Sequence, residues 1–238
     1  MGKVYAVGVG PGSPEYVTDI VKKLIINSDV IAGYKYTLQT IRELLDGKKV
    51  YEVTMISQEE TYQKIHKELG NNTLLVPFTG DVNFSESEVV DRLVEIFGDV
   101  ELVPGISSIQ VAAAKTRVPL DKSSVITMHV TGSIEEKKKE LQKALADKNS
   151  VILVPRPWPK KPEYHFMPSE IATYLRENGF DTTNMKVFVF EELTMENETV
   201  FEGMVNELEG KEFSALSVMV FDQTVPDSYM NYKWQWKE

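Results

Sequence analysis

The sequence predicts an α/β protein in two parts, a mostly parallel sheet with helices on both faces followed by a mixed sheet. Three observations carry this prediction. Short apolar runs alternate with segments of helical spacing from Val4 to Lys115. Three of those runs lead into turns rich in glycine. Beyond Pro119, strand-like runs begin to follow one another without long helices between them, which favours antiparallel pairing.

Taken in order, Val4 to Val9 reads as a buried strand. Val17 to Asn27 has the helical spacing Val17, Ile20, Val21, Leu24, Ile25, and Val30 to Ala32 is a second strand. A helix follows over Tyr36 to Leu45, a strand over Lys49 to Val53 and a helix over Gln58 to Leu69. Leu74 to Pro77 is a strand, Ser87 to Phe97 a helix, Val100 to Val103 a strand and Ser108 to Lys115 a small-residue helix. Pro119 interrupts the pattern, so one domain is expected over residues 1–118 and a second over 119–238. In the second, strands are expected at Val125 to His129, Val151 to Val154, Val187 to Phe190, Thr199 to Phe201 and Leu216 to Phe221. Helices are expected at Ile134 to Ala146 and Ile171 to Glu177.

Composition excludes several classes. The 238 residues are 42% hydrophobic and 26% charged, in the range of a soluble protein with one or two cores. There is no cysteine, hence no disulfide framework, thiolate metal site or cysteine nucleophile. No apolar run approaches the ~18 residues of a membrane span, and Met1-Gly2-Lys3 leads directly into a strand rather than an apolar leader. A cytoplasmic protein with no membrane partner is expected. The net charge of −10 and the lack of a basic stripe argue against a nucleic-acid partner.

Three segments can carry chemistry because each follows a predicted strand at one end of the same sheet, where open parallel sheets bind ligands. Gly8-Val9-Gly10-Pro11-Gly12 departs from the dinucleotide pattern G-x-G-x-x-G, since Ser13 holds the third glycine's place. Thr79-Gly80-Asp81-Val82-Asn83-Phe84 follows the strand at Leu74. Val103-Pro104-Gly105-Ile106-Ser107-Ser108 follows the fifth strand, with Ser107 or Ser108 placed to cap the next helix. Each, taken singly, is also an ordinary turn. His66, His129 and His165 are isolated and read as structural, and no metal site is expected.

Together the motifs resemble the tetrapyrrole (corrin and porphyrin) methylase family over nearly the whole chain. Val7-Gly8-Val9-Gly10-Pro11-Gly12-Ser13-Pro14-Glu15-Tyr16-Val17-Thr18 is similar to its N-terminal signature. The run from Val103 to Ala114 resembles the branch that methylates cobalt-precorrin-7 at ring carbon 5, also called precorrin-6Y methylase. So do Phe190-Glu191-Glu192-Leu193, Phe201-Glu202-Gly203 and Phe213-Ser214-Ala215-Leu216-Ser217-Val218. Val82 replaces the family's proline, which is expected to loosen that turn, and Glu192 stands where asparagine is common. Five of the 11 prolines fall between Pro155 and Pro168, a stretch longer than the family usually carries.

The resemblance implies S-adenosylmethionine as cofactor, bound in a cleft between two α/β domains. Pro11, Gly80, Asp81, Phe84, Ser107, Ser108 and Ile109 would contact it, and Leu153, Leu193 and Leu216 would close the pocket. Leucine at position 80 is expected to block the ligand and leave the fold intact. The reaction implied is methyl transfer to a precorrin carbon in cobalamin (vitamin B12) biosynthesis. Methyl transfer from a sulfonium is an in-line displacement, which asks the protein for alignment and exclusion of water. Asp81 and Glu191 are candidates to remove a proton, or else bind backbone amides. A tetrapyrrole carries several carboxylates. Arg156, Lys160 and Lys161, beside Trp158, Tyr164 and Phe166, are placed to clamp them, with Gly10 and Gly12 also on the substrate side. A proline-stiffened loop or a dimer contact is the plain alternative. The resemblance further implies a homodimer. With the chain ending at Glu238, methylation and decarboxylation at ring carbon 15 are expected to fall to a separate protein. Open alternatives are another methylase of this fold, for another precorrin, uroporphyrinogen or diphthine, and a non-catalytic tetrapyrrole-binding protein.

Overall fold

The computed structural model describes residues 2–84, 86–158, 161 and 164–223. The chain divides into two compact units, Met1–Val111 with Glu192–Thr199, and Ala112–Glu191 with Val200–Glu238. Where the sequence suggests one crossing near Pro119, the chain leaves the first unit at Val111 and later returns to it for eight residues, Glu192–Thr199.

In the first unit five strands alternate with helices: β1 (Val4–Gly8), α1 (Asp19–Asn27), β2 (Val30–Tyr34), α2 (Lys35–Thr40), β3 (Lys49–Val53), α3 (Gln58–Glu68), β4 (Leu74–Phe78), α4 (Ser87–Phe97), β5 (Glu101–Val103) and the first turn of α5 (Ser108–Thr116), whose remaining residues from Ala112 are counted with the second unit. The strand order is β3-β2-β4-β1-β5, and the described pairs are all parallel. Side chains alternate across the sheet. Val4 and Ala6, with Leu74, Val76 and Phe78, face Tyr62 and Ile65 of α3 and Val89 and Leu93 of α4. Tyr5 and Val7, with Leu75 and Val103, face Val21 and Ile25 of α1. The neighbouring strands β1 and β4 therefore send the chain to opposite faces, which opens a crevice at their carboxyl ends.

One predicted helix is broken. Tyr36 to Leu45 becomes α2 and a short 3-10 turn over Arg42–Leu44, because Ile41 leaves the helical region at φ −107°, ψ 12°. Its side chain is buried in the α1-side core with Leu38, so tertiary packing overrides the local helical pattern.

The second unit holds β6 (Ser123–Thr127), α6 (Glu135–Ala146), β7 (Ser150–Val154), α7 (Pro168–Glu177), β8 (Lys186–Glu191), β9 (Thr199–Met204) and β10 (Ser217–Phe221). The order is β6-β7-β10-β8-β9. Here β6 and β7 run parallel while β10 is antiparallel to β7 and β8, which makes the sheet mixed. Leu141 and Leu145 of α6 and Ile171 and Leu175 of α7 pack on Ile126, Leu153, Val189 and Met219. The sixth strand stops at Thr127, short of His129, because the Thr127 hydroxyl accepts the His129 amide at 3.1 Å and turns the chain.

Before α4, Glu86 is mostly buried, and burial pushes its carboxyl up to about 7. Tyr34, under the same burial and the nearby Glu86 charge, is pushed up to about 12. A carboxyl whose folded value lies above its unfolded value of 4.5 favours the folded state below that value. The advantage is lost as pH climbs towards 7. Glu86→Gln should therefore match wild type in urea unfolding at about pH 3.5, below the unfolded value, and exceed it at pH 8 by up to about 3 kcal/mol. Equal stability of the two proteins at pH 8 would contradict the burial of a titrating group.

Candidate cofactor site at three strand ends

At the carboxyl ends of β1, β4 and β5 three backbones touch. A Cβ added to Gly8 would stand 2.5 Å from the Gly80 oxygen and 2.6 Å from the Gly105 nitrogen. One added to Gly105 would collide with the Gly80 oxygen and lie 2.5 Å from the Gly8 oxygen. Real Cβ atoms do not approach backbone so closely, so only glycine fits at either position. Gly10 and Gly80, at φ +83° and +72°, exchange backbone hydrogen bonds: Gly80 N donates to Gly10 O at 2.7 Å and Gly10 N to Gly80 O at 3.2 Å.

Asp81 ties this junction together. Its Oδ1 accepts the Asn83 amide at 2.8 Å and its Oδ2 the Gly105 amide at 2.8 Å. One carboxylate thus shapes its own turn and holds the loop after β5. Val82 has its side chain buried among α3, α4 and the sheet. The turn that lacks the family's proline is held by core packing instead. The loop after β5 ends in a reciprocal cap. Ser107 Oγ accepts the Ile109 amide at 3.2 Å, and Gln110 Oε1 accepts the Ser107 amide at 2.8 Å. The capping residue is Ser107, and Ser108 opens the helix.

The returning segment Glu192–Thr199 completes the site on the first unit. Ser13 N donates to Thr194 Oγ1 at 3.0 Å, and Thr194 N to Glu198 Oε2 at 2.7 Å. A Cβ on Gly12 would press on Met195 Cγ at 2.7 Å and lie 3.1 Å from Leu193 O. Glu192 and Thr194 sit at φ 51° and 72°, a region that glycine and asparagine tolerate best.

The expected cofactor residues Pro11, Gly80, Asp81, Phe84, Ser107, Ser108, Ile109 and Leu193 all belong to the first unit, on these loops, on the first turn of α5 or on the returning segment. Gly10 and Gly12 lie there too, packed against Tyr16 and Met195. Leu153 and Leu216 belong to the second unit, Leu153 as a fully buried core residue of β7 and Leu216 just ahead of β10. Glu191 Oε1 accepts the Ser214 amide at 2.5 Å. Arg156 is 1% exposed rather than open to solvent, Lys161 is exposed, and Lys160 lies outside the described residues. Gly80 corrects one expectation. At φ +72°, leucine would strain the loop as well as fill the space above Ser107 and Ser108. Gln110, Thr194 and Glu198 were not anticipated as holders of the site. Only Gln110 has a sequence signal, its place three residues after Ser107. Among the described residues no group of His, Asp and Glu is placed to hold a metal ion. No described helix is long and apolar enough to cross a membrane.

The sequence profile of the family described as Tetrapyrrole (Corrin/Porphyrin) Methylases matches residues 3–209. The chain is a tetrapyrrole methylase. The probable cobalt-precorrin-7 C(5)-methyltransferase of Methanocaldococcus jannaschii is 31% identical over 222 residues, 92% of this chain and 97% of the relative. The uroporphyrinogen-III C-methyltransferase of Methanobacterium ivanovii is 26% identical over 230 residues, 92% of this chain and 96% of that one. Among solved structures, the precorrin-6Y methylase of Archaeoglobus fulgidus superposes with a TM-score of 0.66 at 21% identity, covering 94% of this chain and 100% of its own. The methyltransferase CobJ gives a TM-score of 0.73 at 18% identity, over 93% and 94% of the two chains. These superpositions establish the shared fold.

As a tetrapyrrole methylase the protein is a methyltransferase, and the methyl donor of its family is S-adenosylmethionine. The first-unit residues fit such a ligand. Backbone groups of three loops converge at the crevice, and Gly80 keeps clear the space where a Cβ would stand 3.8 Å from the Ser108 amide nitrogen. Gly105→Ala should lower unfolding stability by about 2 kcal/mol or more, because the clash is with backbone. Gly132→Ala, where an added Cβ meets nothing within 4 Å, should change it by no more than about 0.5 kcal/mol. Equal effects in denaturant titrations would show that the close approach is not formed.

Proposed function

We propose that this protein transfers a methyl group from S-adenosylmethionine to ring carbon 5 of cobalt-precorrin-7, the precorrin-6Y methylase step of cobalamin biosynthesis. The observation that supports it most is the junction of Gly8, Gly80 and Gly105, locked by Asp81, at the switch point of the parallel sheet. The name of the Methanocaldococcus relative, a probable cobalt-precorrin-7 C(5)-methyltransferase, supports the choice of carbon and substrate.

When bound, S-adenosylmethionine supplies an activated methyl on a sulfonium sulfur. The protein's part is to hold donor and acceptor in line and keep water out. Pro11, Gly80, Asp81, Phe84, Ser107, Ser108, Ile109 and Leu193 are the residues we assign to the cofactor. Asp81 acts by positioning. Each of its oxygens already accepts a backbone amide, so its work is to keep the second and third loops in register. Glu191 is the carboxylate we assign to proton removal from the methylated carbon, held in place by the Ser214 amide. Exposed Lys161 is assigned to the peripheral carboxylates of the tetrapyrrole. We further propose a cytoplasmic homodimer that works with a separate protein for ring carbon 15.

The test is turnover with S-adenosylmethionine against a panel of cobalt-precorrin-7, cobalt-precorrin-4 and uroporphyrinogen III. The expected outcome is one methyl gained at carbon 5 of the first and none on the others. Methylation of a different panel member overturns the choice of substrate. Light scattering on the same preparation should give twice 27.0 kDa, and a mass of 27.0 kDa at every concentration would exclude the dimer.

A further inference from the structure

Arg156 lies two residues beyond β7 in the second unit. Its backbone is pinned, since Arg156 N donates to Phe166 O and Phe166 N to Arg156 O, both at 3.0 Å. The guanidinium carbon sits 4.5 Å from the ring centre of Trp158 and 4.5 Å from that of Tyr164. His129 meets the edge of Trp158 at 6.1 Å between ring centres. Nη1 donates to Gly132 O at 3.0 Å. Nε and Nη2 are shielded from solvent and have no hydrogen-bond partner among the described residues.

That pattern is unusual for a structural arginine. A guanidinium presents five N–H donors in a rigid fork and stays charged at any pH a protein meets. Burial lowers its pKa and the Tyr164 hydroxyl opposes this, so the environment is one that costs the cation something. A buried charged donor without an acceptor is unfavourable, and native structures keep few of them. The two unpaired nitrogens are also a matched pair. Nε and Nη2 form the side-on edge of the fork, the edge that binds a carboxylate through two parallel bonds. Nη1 faces the other way and is already satisfied by Gly132. The rings of Trp158 and Tyr164, their centres 6.0 Å apart, both lie against the cation, and the Nε–Nη2 edge is the part of the fork with no acceptor among the described residues.

We propose that Arg156 is a carboxylate receptor, its Nε–Nη2 edge binding a ligand carboxylate side-on while Trp158 and Tyr164 hold the guanidinium plane. Both rings are partly exposed, and rotation of either side chain gives a ligand its entry, a change of the kind common on binding. Two ligands of the proposed reaction carry the group, the acid side chains of the tetrapyrrole and the amino-acid end of the cofactor. The assignment rests on that reading for the source of the carboxylate and on the arginine's own geometry for the chemistry.

The experiment compares wild type, Arg156→Gln and Arg156→Lys by titration calorimetry. The ligands are uroporphyrin III, S-adenosylhomocysteine and 5′-methylthioadenosine, the last of which has no carboxylate. Both variants should weaken one carboxylate ligand by roughly tenfold or more and leave methylthioadenosine unchanged, since lysine has no side-on edge. Loss confined to uroporphyrin assigns the tetrapyrrole, and loss confined to S-adenosylhomocysteine assigns the cofactor. Wild type that binds these ligands with no change in either folded variant overturns the receptor and leaves the proposed function standing. Wild type that binds neither carboxylate ligand overturns both. Should the variants fail to fold, the Nε–H resonance of wild-type Arg156 decides. Ring currents from Trp158 and Tyr164 set it apart from the other four arginines. It should move downfield on ligand addition, and a resonance that stays in place at saturation overturns the proposal.

Discussion

Everything in the first unit's site depends on three backbones meeting at Gly8, Gly80 and Gly105 with no room for a side chain between them. Parallel strands normally end where their loops diverge. Here the loops after β1, β4 and β5 are drawn into contact, and only residues without a Cβ permit it. The contact fixes where the following segments begin: the turn at Gly10 to Gly12, the Asp81 turn and the first turn of α5. A ligand crevice follows because β1 and β4 send their chains to opposite faces of the sheet.

The remaining devices secure that contact. Asp81 bridges two loops through both oxygens. Val82 anchors the same turn in the core, and Ser107 with Gln110 sets the start of α5. The excursion Glu192–Thr199 braces the first loop through Thr194, with two residues held at positive φ. Strain of this sort, on the order of 1–3 kcal/mol per residue, persists where surrounding contacts over-determine it. The second unit applies a different logic at Arg156, where aromatic rings fix a cation and leave one edge of it unanswered.

Much of this was legible in the residues. Alternation of Val4, Tyr5, Ala6 and Val7 with an amphipathic α1 announces a parallel sheet covered on both faces, and the shift to successive strands after Pro119 announces the mixed one. The loops were legible as positions, since glycines after strands mark where a ligand can approach. Their mutual contact was not, because Gly80 is 72 residues from Gly8 and nothing local in either encodes the other. Ile41 shows the reverse failure. Its local pattern is helical, and the core takes it out of the helix. The return of Thr194 to Ser13 spans 181 residues and has no local signature either. Arg156 was legible as a charge among aromatics expected to clamp carboxylates, but its burial and its unpaired Nε–Nη2 edge were not, because they depend on packing against Trp158, Tyr164 and Gly132.

We propose that one ligand engages three separated loops through their shared glycine contact. Amide hydrogen exchange with and without S-adenosylhomocysteine tests it most directly. Exchange should slow together in peptides spanning residues 8–13, 79–84, 105–111 and 192–195, with the β6 and β7 strand amides unchanged. Protection of one of these segments alone, or protection elsewhere with all four unchanged, would contradict it.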